Sequence, residues 1–508
     1  MSVHETILTA PPERWRTAMR RLELVEVFTL PESPLRRRVA RAAAWMFGIR
    51  FLETTLAIIR TLVVAPFLLP KDFGLFAVIL MTAGALELIN INGLRAALIQ
   101  KHDDSRRDLD TVWSVLLFQN CLNAAILVAL ADPVAHFFGV PRAADLIRAF
   151  SITFLLDALA NVGSIHFEKR MLFHKEFAFM LSGTLVDLGL AMTLAAVLHS
   201  AWALVGGAVA GRAARLLASY MLQEFRPRLR FKWLNFRQLF RFDFAAWISG
   251  ALWFFLLQGD RIFVGKTLGL AALGIYVVAG TLSFAGNTDI STCLQRFMFP
   301  SSASTEDDPA HIRTAYLKLL RATALCILPT SIVVAALAPE IVAMLLGPTW
   351  ASTVPVLSTL ALLGALYVFL SNAGSVLRNL GEVRQAIIGE TILLIIAGAL
   401  IVPLSLRLDL VGVAYAMAAG AAAAWMWSEY CVLKELKISL RELLRAFDSS
   451  VAAALVMLAT IYLLRGLFHQ PTWASLLSMS SAAALMYLFT IAVAALSRNR
   501  MKASAAAV

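Results

Sequence analysis

The sequence predicts an all-α polytopic membrane protein of about 14 transmembrane helices, laid out as two parallel six-helix lobes plus a C-terminal helix pair. Three observations predict it. The 508 residues are 59% hydrophobic with a mean hydropathy of +0.75, where soluble domains run at about 45–50% apolar. About fourteen apolar runs follow one another through short connections. They centre near Ile58, Val78, Ala125, Leu155, Leu188, Ala210, Leu252, Val278, Ile332, Leu366, Ile395, Ala418, Leu455 and Leu485. Finally, every second connection is rich in lysine and arginine, the asymmetry that cytoplasmic loops show.

The rest of the composition narrows the class. The formal charge of +12 reports basic loops in a chain this apolar, and no nucleic-acid partner is expected. Cys121, Cys293, Cys326 and Cys431 stand far apart in apolar runs. They read as small buried side chains, with no disulfide, metal or cofactor. The first forty residues lack an apolar h-region, so no cleavable signal peptide is expected. No G-x-x-x-x-G-K-[ST] phosphate loop is present, so an ion gradient, H+ or Na+, is the default drive rather than ATP.

Taken in order, residues 1–41 form a basic cytoplasmic segment. Within it, Glu13 to Leu30 suits either an amphipathic helix on the membrane, ended by Pro31, or a disordered stretch. The first lobe, 42–224, opens on Ala42 to Leu69, long enough to cross a bilayer at roughly 20 residues. That run carries Arg50, Glu53 and Arg60. At about 100° per residue, Glu53 and Arg60 lie within roughly 20° of each other and Arg50 about 60–80° away. Charges at membrane depth are costly and normally face a bundle interior or a wet cavity. One stripe is therefore read as the wall of a polar cavity. The competing reading is an Arg50–Glu53 pair within the helix, with Arg60 snorkelling outward.

Other deep polar residues follow. Asp157 and Asn161 fall in the fourth run, Asp187 in the fifth, and Arg212 and Arg215 in the sixth. A basic cytoplasmic linker, 225–240, leads to the second lobe, 241–433, whose candidates are Asp260, Arg261, Asn372 and Glu390. Residues 434–508 supply the helix pair and a basic tail. Structural readings compete here too: Arg215 could extend a basic flank, Asp260 and Arg261 could be an exposed boundary pair, and the two asparagines could simply join helices. Trp45, Trp113, Trp247, Trp350 and Trp473 lie near span ends and read as interface anchors. His136 and His166 read as interfacial.

Basic placement sets orientation. With the N-terminus in the cytoplasm, the inward connections hold clusters such as Arg226, Arg228, Arg230, Lys232 and Arg237, or Lys434, Lys437, Arg441 and Arg445. The outward ones hold only Lys71, Arg142, Arg261, Lys266, Arg407 and Arg465. Both termini are thus expected inside. The chain also repeats at an offset of roughly 200–210 residues. Asn161-Val162-Gly163-Ser164-Ile165 answers Asn372-Ala373-Gly374-Ser375-Val376, and Leu204-Val205-Gly206-Gly207-Ala208 answers Leu410-Val411-Gly412-Val413-Ala414. Arg60, Val63 and Gly74 answer Arg261, Val264 and Gly274 with one gap. The offset spans an even number of runs, so the lobes are parallel and a site is expected between them.

Several motifs carry a family resemblance. Leu69 to Leu75 (LPKDFGL) is similar to an "LLxPxDFGL" turn, and Ala97 to Gln100 with Asp108 to Val112 to an "ALIQ…DLDTVF" segment. Arg261 to Tyr276 (RIFVGKTLGLAALGIY) is similar to "DxxxVGRxLGxxALGxY", and Phe299-Pro300-Ser301 to "FPxxS". From about Trp45 to Leu433 the chain resembles the polysaccharide transporter branch of the multidrug/oligosaccharidyl-lipid/polysaccharide exporter superfamily. Within it, the resemblance is to Wzx-like flippases of the teichuronic- and colanic-acid type. Lys266 stands where that family usually has Arg, and Glu168-Lys169-Arg170-Met171 replaces its usual Gln/Arg-Arg-Glu-Leu.

The resemblance implies a non-enzymatic flippase in the bacterial inner membrane. It would move an undecaprenyl-pyrophosphate-linked oligosaccharide to the outer leaflet for exopolysaccharide, O-antigen or capsule synthesis. Its implied partners are that lipid-linked substrate, membrane lipids, a polysaccharide polymerase and a chain-length regulator. The residue chemistry agrees, because Arg presents a planar fork suited to phosphate. The first lobe holds most of the deep arginines and is the expected pyrophosphate site. Three alternatives stay open. A multidrug or cation antiporter would be expected to show an acidic cavity. A peptidoglycan lipid-precursor flippase is also basic-lined. A membrane glycan polymerase or ligase would need a large outward loop, and Pro70 to Asp72 and Arg407 to Leu410 are short.

Overall fold

The computed structural model describes residues 34–87, 98, 106–169, 172–230, 244–298, 309–468 and 472–506. Among them every regular element is a helix. The amphipathic stretch expected at Glu13 to Leu30 and most of the basic linker lie outside the described residues.

Helix α1 (Pro34–Val64) starts earlier than the apolar run, so the basic residues after Pro34 ride on the same rod. A 3-10 turn (Ala65–Phe67) leads to α2 (Pro70–Glu87). Pro70 suits the first helical position, and the Asp72 carboxylate accepts the Leu69 N–H at 3.1 Å, which caps the start. Helix α3 (Arg106–Phe137) is followed by α4 (Ala143–Phe150) and α5 (Ile152–Leu159), which share the fourth apolar run. Short α6 (Ile165–Lys169) precedes the pair α7 (Phe173–Leu198) and α8 (Trp202–Leu222), and these complete the first lobe.

The second lobe comprises α9 (Phe244–Thr267), α10 (Leu270–Met298), α11 (Pro309–Ala336), the short α12 (Ala338–Ile341), α13 (Thr353–Asn379) and α14 (Val383–Glu435). Helix α14 is two spans in one. Asp409, at φ 48° and ψ −130°, breaks the rod, and the two halves fold back on each other. A Cβ on Gly412 would sit 2.1 Å from the Leu404 carbonyl, and one on Gly420 2.8 Å from that of Leu393. Small residues permit this close antiparallel seam. The outward loop expected at Arg407 to Leu410 is therefore a single-residue reversal. Likewise Arg261 and Lys266, expected in an outward connection, lie inside α9, because the helix continues to Thr267.

The C-terminal pair, α15 (Leu440–Arg465) and α16 (Trp473–Ala506), is fastened to the second lobe at both ends of α15. Ser439 and Glu442 form a capping box at its start, where Arg313 of α11 donates to Glu442 at 2.6 Å. At its end Arg465 forks onto buried Glu340 at 2.8 and 2.7 Å. Between these points Met457, Ile461, Met479 and Ala483 pack against Ala336 and Leu337.

The two lobes meet most closely at the end bearing the Pro70 and Leu270 helix starts. A Cβ on Gly74 would lie 1.9 Å from the Leu270 carbonyl oxygen, and a Cβ on Gly274 1.8 Å from that of Pro70. Each glycine of the repeat thus receives the first residue of the other lobe's matching helix, a reciprocal contact that only glycine allows. Trp350 joins this seam, fully buried, donating its indole N–H to the Ala65 carbonyl at 3.1 Å and standing edge-on to Phe73 at 5.2 Å. Lys266 reaches the Phe137 carbonyl at 2.5 Å. Farther along, Thr54 of α1 donates to Asp289 of α10.

Two expectations change here. Trp350 is a keystone between lobes rather than an interface anchor, whereas Trp45 and Trp473 are exposed as anchors would be. All four cysteines are free, but Cys121 is exposed and only Cys431 is buried. An apolar run does not say which side of its helix meets lipid. Eight helices among the described residues are long and apolar enough to cross a membrane: α3, α7, α10, α11, α13, α14, α15 and α16. The protein is a multi-pass membrane protein, and fourteen crossings belong to its proposed topology.

A ladder of arginine–carboxylate pairs as the candidate functional site

The deep charges of the first lobe converge. Arg60 Nε stands 3.3 Å from Asp187 Oδ1, Arg215 Nη2 3.6 Å from Glu53 Oε1, and Arg212 Nη1 3.1 Å from Asp157 Oδ2. Four helices supply these six side chains: α1, α5, α7 and α8. Glu87, at the end of α2, feels the charges of Arg212 and Asp157 and is a member that sequence reading missed. Counting along the axis at 1.5 Å per residue, Arg60 lies about 6 Å below the end of α1 and Glu53 about 16 Å below it. The pairs therefore descend from the closed end toward the middle of the lobe.

Close packing of α7 on α8 sets this geometry. Gly211 lies against the Gly183 carbonyl, where a Cβ would approach to 2.8 Å, and a Cβ on Gly207 would meet Asp187 at 2.6 Å. With the backbones this near, Asp187 projects toward Arg60. Arg215 crosses the face of Gly183, where a Cβ would collide with its Cγ at 2.4 Å, and donates to Thr184 at 3.2 Å. Arg60 also donates to the Leu204 carbonyl at 3.3 Å and lies over the Phe76 ring at 5.3 Å. It does not snorkel outward, and Glu53 is bound across helices rather than by Arg50. Arg50 is exposed and has no ion pair among the described residues.

The second lobe treats its charges differently. Gly206 aligns with Gly412 at an offset of 412 − 206 = 206 residues, which puts Leu393, Ala418 and Ala421 opposite Asp187, Arg212 and Arg215. The ladder belongs to one lobe. Asp260 and Arg261 instead border a cavity of about 320 Å³ between α9, α10 and α13, with Tyr276, Tyr367, Thr288 and Ser371. The Tyr276 hydroxyl donates to Asp260 Oδ2 at 2.7 Å, and Arg261 Nη1 donates to Gln258 at 3.3 Å. They are a half-buried cavity edge, not an exposed boundary pair.

The remaining candidates are placed elsewhere. Asn161 ties its own turn: its Oδ1 accepts from the Gly163 N–H at 2.9 Å and its Nδ2 donates to the Phe225 carbonyl at 2.6 Å. Asn372 is fully buried and joins three helices, accepting from Ser291 and Gln295 and donating to Thr323 at 2.9 Å. Glu390 pairs with Arg378 at 3.2 Å, apart from the cavity. The cavity tyrosines and Asp289 were not read from the sequence. Lone tyrosines in apolar runs carry no signal of which partner they will meet.

The fold and its charged interior define a class: a multi-pass helical membrane protein of two lobes that meet tightly at one end. Within that class the chain belongs to the polysaccharide biosynthesis protein family, whose model matches residues 63–355. It is similar to the succinoglycan biosynthesis transport protein ExoT of Rhizobium meliloti (strain 1021), at 28% identity over 322 residues, 62% of this chain and 63% of that one. It is 23% identical over 308 residues to the teichuronic acid biosynthesis protein TuaB of Bacillus subtilis (strain 168), covering 60% of this chain and 64% of that one. The chain thus spans just under two thirds of these relatives' length. Among solved structures, the lipid II flippase MurJ in an inward closed conformation aligns with TM-score 0.69 at 14% identity, over 88% of this chain and 98% of that one. An inward-facing multidrug resistance MATE family transporter aligns with TM-score 0.58 at 16% identity, over 78% and 99%. At these identities the likeness is one of fold.

Proposed function

We propose that the protein flips a lipid-linked oligosaccharide with an anionic, pyrophosphate head from the inner to the outer leaflet of a bacterial cytoplasmic membrane. Its working cycle is alternating access between the two lobes. The observation that carries the reading is the ladder of Arg60, Arg215 and Arg212 at membrane depth beneath a sealed end. Guanidinium groups grip phosphate oxygens with two parallel hydrogen bonds. In the empty protein Asp187, Glu53 and Asp157 compensate them, which keeps the unoccupied site from holding bare buried charge. A phosphate arriving from the open side exchanges for these carboxylates, while the prenyl chain stays in lipid. The second-lobe cavity, with tyrosine rings, hydroxyls and one carboxylate, suits the sugar end of the cargo.

In this reading the sealed Gly74–Gly274 end faces outward, both termini lie in the cytoplasm, and the chain crosses about fourteen times. An H+ or Na+ gradient supplies the drive, and a polymerase and chain-length regulator take over the product. The relatives' names, a succinoglycan transport protein and a teichuronic acid biosynthesis protein, support a polysaccharide precursor over a drug. Deleting the gene should abolish surface glycan and leave the lipid-linked oligosaccharide on the inner leaflet, inaccessible to an impermeant glycosidase in right-side-out vesicles. Normal surface glycan in the deletion strain would refute the assignment. Orientation is checked separately: a reporter fused after Lys232 should be cytoplasmic and one near Pro348 external. Both on one side would overturn the topology.

A further inference from the structure

Two basic stretches that the sequence keeps far apart meet in space. Arg313, Lys318 and Arg321 on α11 and Arg445 on α15 surround a groove of about 440 Å³. Glu442 is its carboxylate, and that group is engaged by Arg313 at 2.6 Å and by the Ser439 N–H at 2.9 Å. Lys318 and Arg445 are exposed and hold no ion pair among the described residues. With Arg313 engaged by Glu442, Lys318 and Arg445 leave positive charge at the groove that no described carboxylate balances, and such a site attracts an anion. The groove runs along α11 from Arg313 to Arg321 and past the start of α15 to Ala446. It shares no residue with the first-lobe ladder or the second-lobe cavity.

We propose that this groove binds the phosphate of an anionic membrane phospholipid at the inner surface. Basic pockets between helices at the cytoplasmic level are suited to such headgroups. What favours a lipid over a free anion is the neighbouring surface. Leu317 and Ala446 line the groove itself, and Leu440 and Leu444, beside its cations on α15, are 64% and 57% exposed. A lipid would place its phosphate between Lys318 and Arg445 and lay its acyl chains along these leucines. Because α11 belongs to the second lobe and α15 to the C-terminal pair, the lipid bridges the two and complements the Arg313–Glu442 contact.

Purified protein in neutral detergent tests this with lipid retention by native mass spectrometry and with Tm. Cardiolipin and phosphatidylglycerol should remain bound and raise Tm, while phosphatidylcholine at the same mole ratio should do neither. Lys318→Ala/Arg445→Ala should weaken anionic-lipid binding about tenfold or more, and the charge-matched control Arg228→Ala/Arg230→Ala should not. Equal retention by both double variants, or equal binding of phosphatidylcholine, overturns the proposal. If inorganic phosphate alone reproduces the full Tm rise, the ligand is a free anion and the lipid assignment falls. None of these readouts depends on glycan export, so they stand apart from the flippase reading.

Discussion

Gly74→Leu is expected to abolish export while the protein still inserts. A Cβ at this position would be 1.9 Å from the Leu270 carbonyl oxygen. The obstacle is backbone, so no rotamer change relieves it and the two lobes must part. Overpacking of a tight contact costs about 1–3 kcal/mol, which shifts a two-state equilibrium about 5- to 150-fold. The substitution therefore depletes the conformation sealed at the Pro70–Leu270 end. Gly274→Leu should act equally, since its Cβ would meet the Pro70 carbonyl at 1.8 Å. Gly84→Ala makes the control, because its new Cβ would touch only the Phe254 ring at 3.8 Å, ordinary van der Waals contact. The measurement is cross-linking between cysteines placed at Phe137 and Lys266, which now meet across the lobes. The cross-link should form in the parent and the Gly84→Ala protein and be lost in both leucine variants. Efficient cross-linking with normal export in Gly74→Leu would mean that the seam is not a gate.

Arg60→Ala is the second large effect. It removes the cation nearest the sealed end and leaves Asp187 without its partner. A charge-assisted contact to phosphate contributes about 1.5–3 kcal/mol, so export should fall about tenfold to hundredfold from that loss alone. Leaving Asp187 without Arg60 also destabilises the half-buried pair, and the assay must separate the two. Arg60→Ala/Asp187→Asn does so: it removes the stranded charge and should recover protein level without recovering export. Arg60→Lys should rescue partly, since the charge returns without the planar fork. Arg228→Ala, in an exposed connection, should change little. Normal export by the Arg60→Ala/Asp187→Asn protein at matched expression would make the pair a structural strut and remove it from the site.

The sequence by itself determined the class. Composition and periodic apolar runs require helices in lipid, because every buried backbone N–H and C=O must be satisfied within its own segment. It also singled out the residues whose charge conflicts with their surroundings, since a charge at membrane depth is costly unless it faces a partner or a wet cavity. Arg60, Glu53, Asp187, Arg212 and Arg215 were legible for that reason, and so was the Gly74–Gly274 correspondence. What the sequence could not state was partnership. Helical periodicity gives a residue's angle on its own rod but not which rod it faces. The pairing of Arg60 with Asp187 rather than Glu53 depends on how closely Gly207 and Gly211 let α8 approach α7. The same holds for Trp350, an unremarkable aromatic at a span end until Ala65 and Phe73 of the other lobe close over it. Asn161 and Asn372 show the reverse: polar residues in apolar runs stand out in a sequence, yet the tertiary structure spends their hydrogen bonds on backbone and neighbouring helices. Contacts between residues distant in the chain are decided by backbone separation and side-chain reach, and those exist only once the helices are packed.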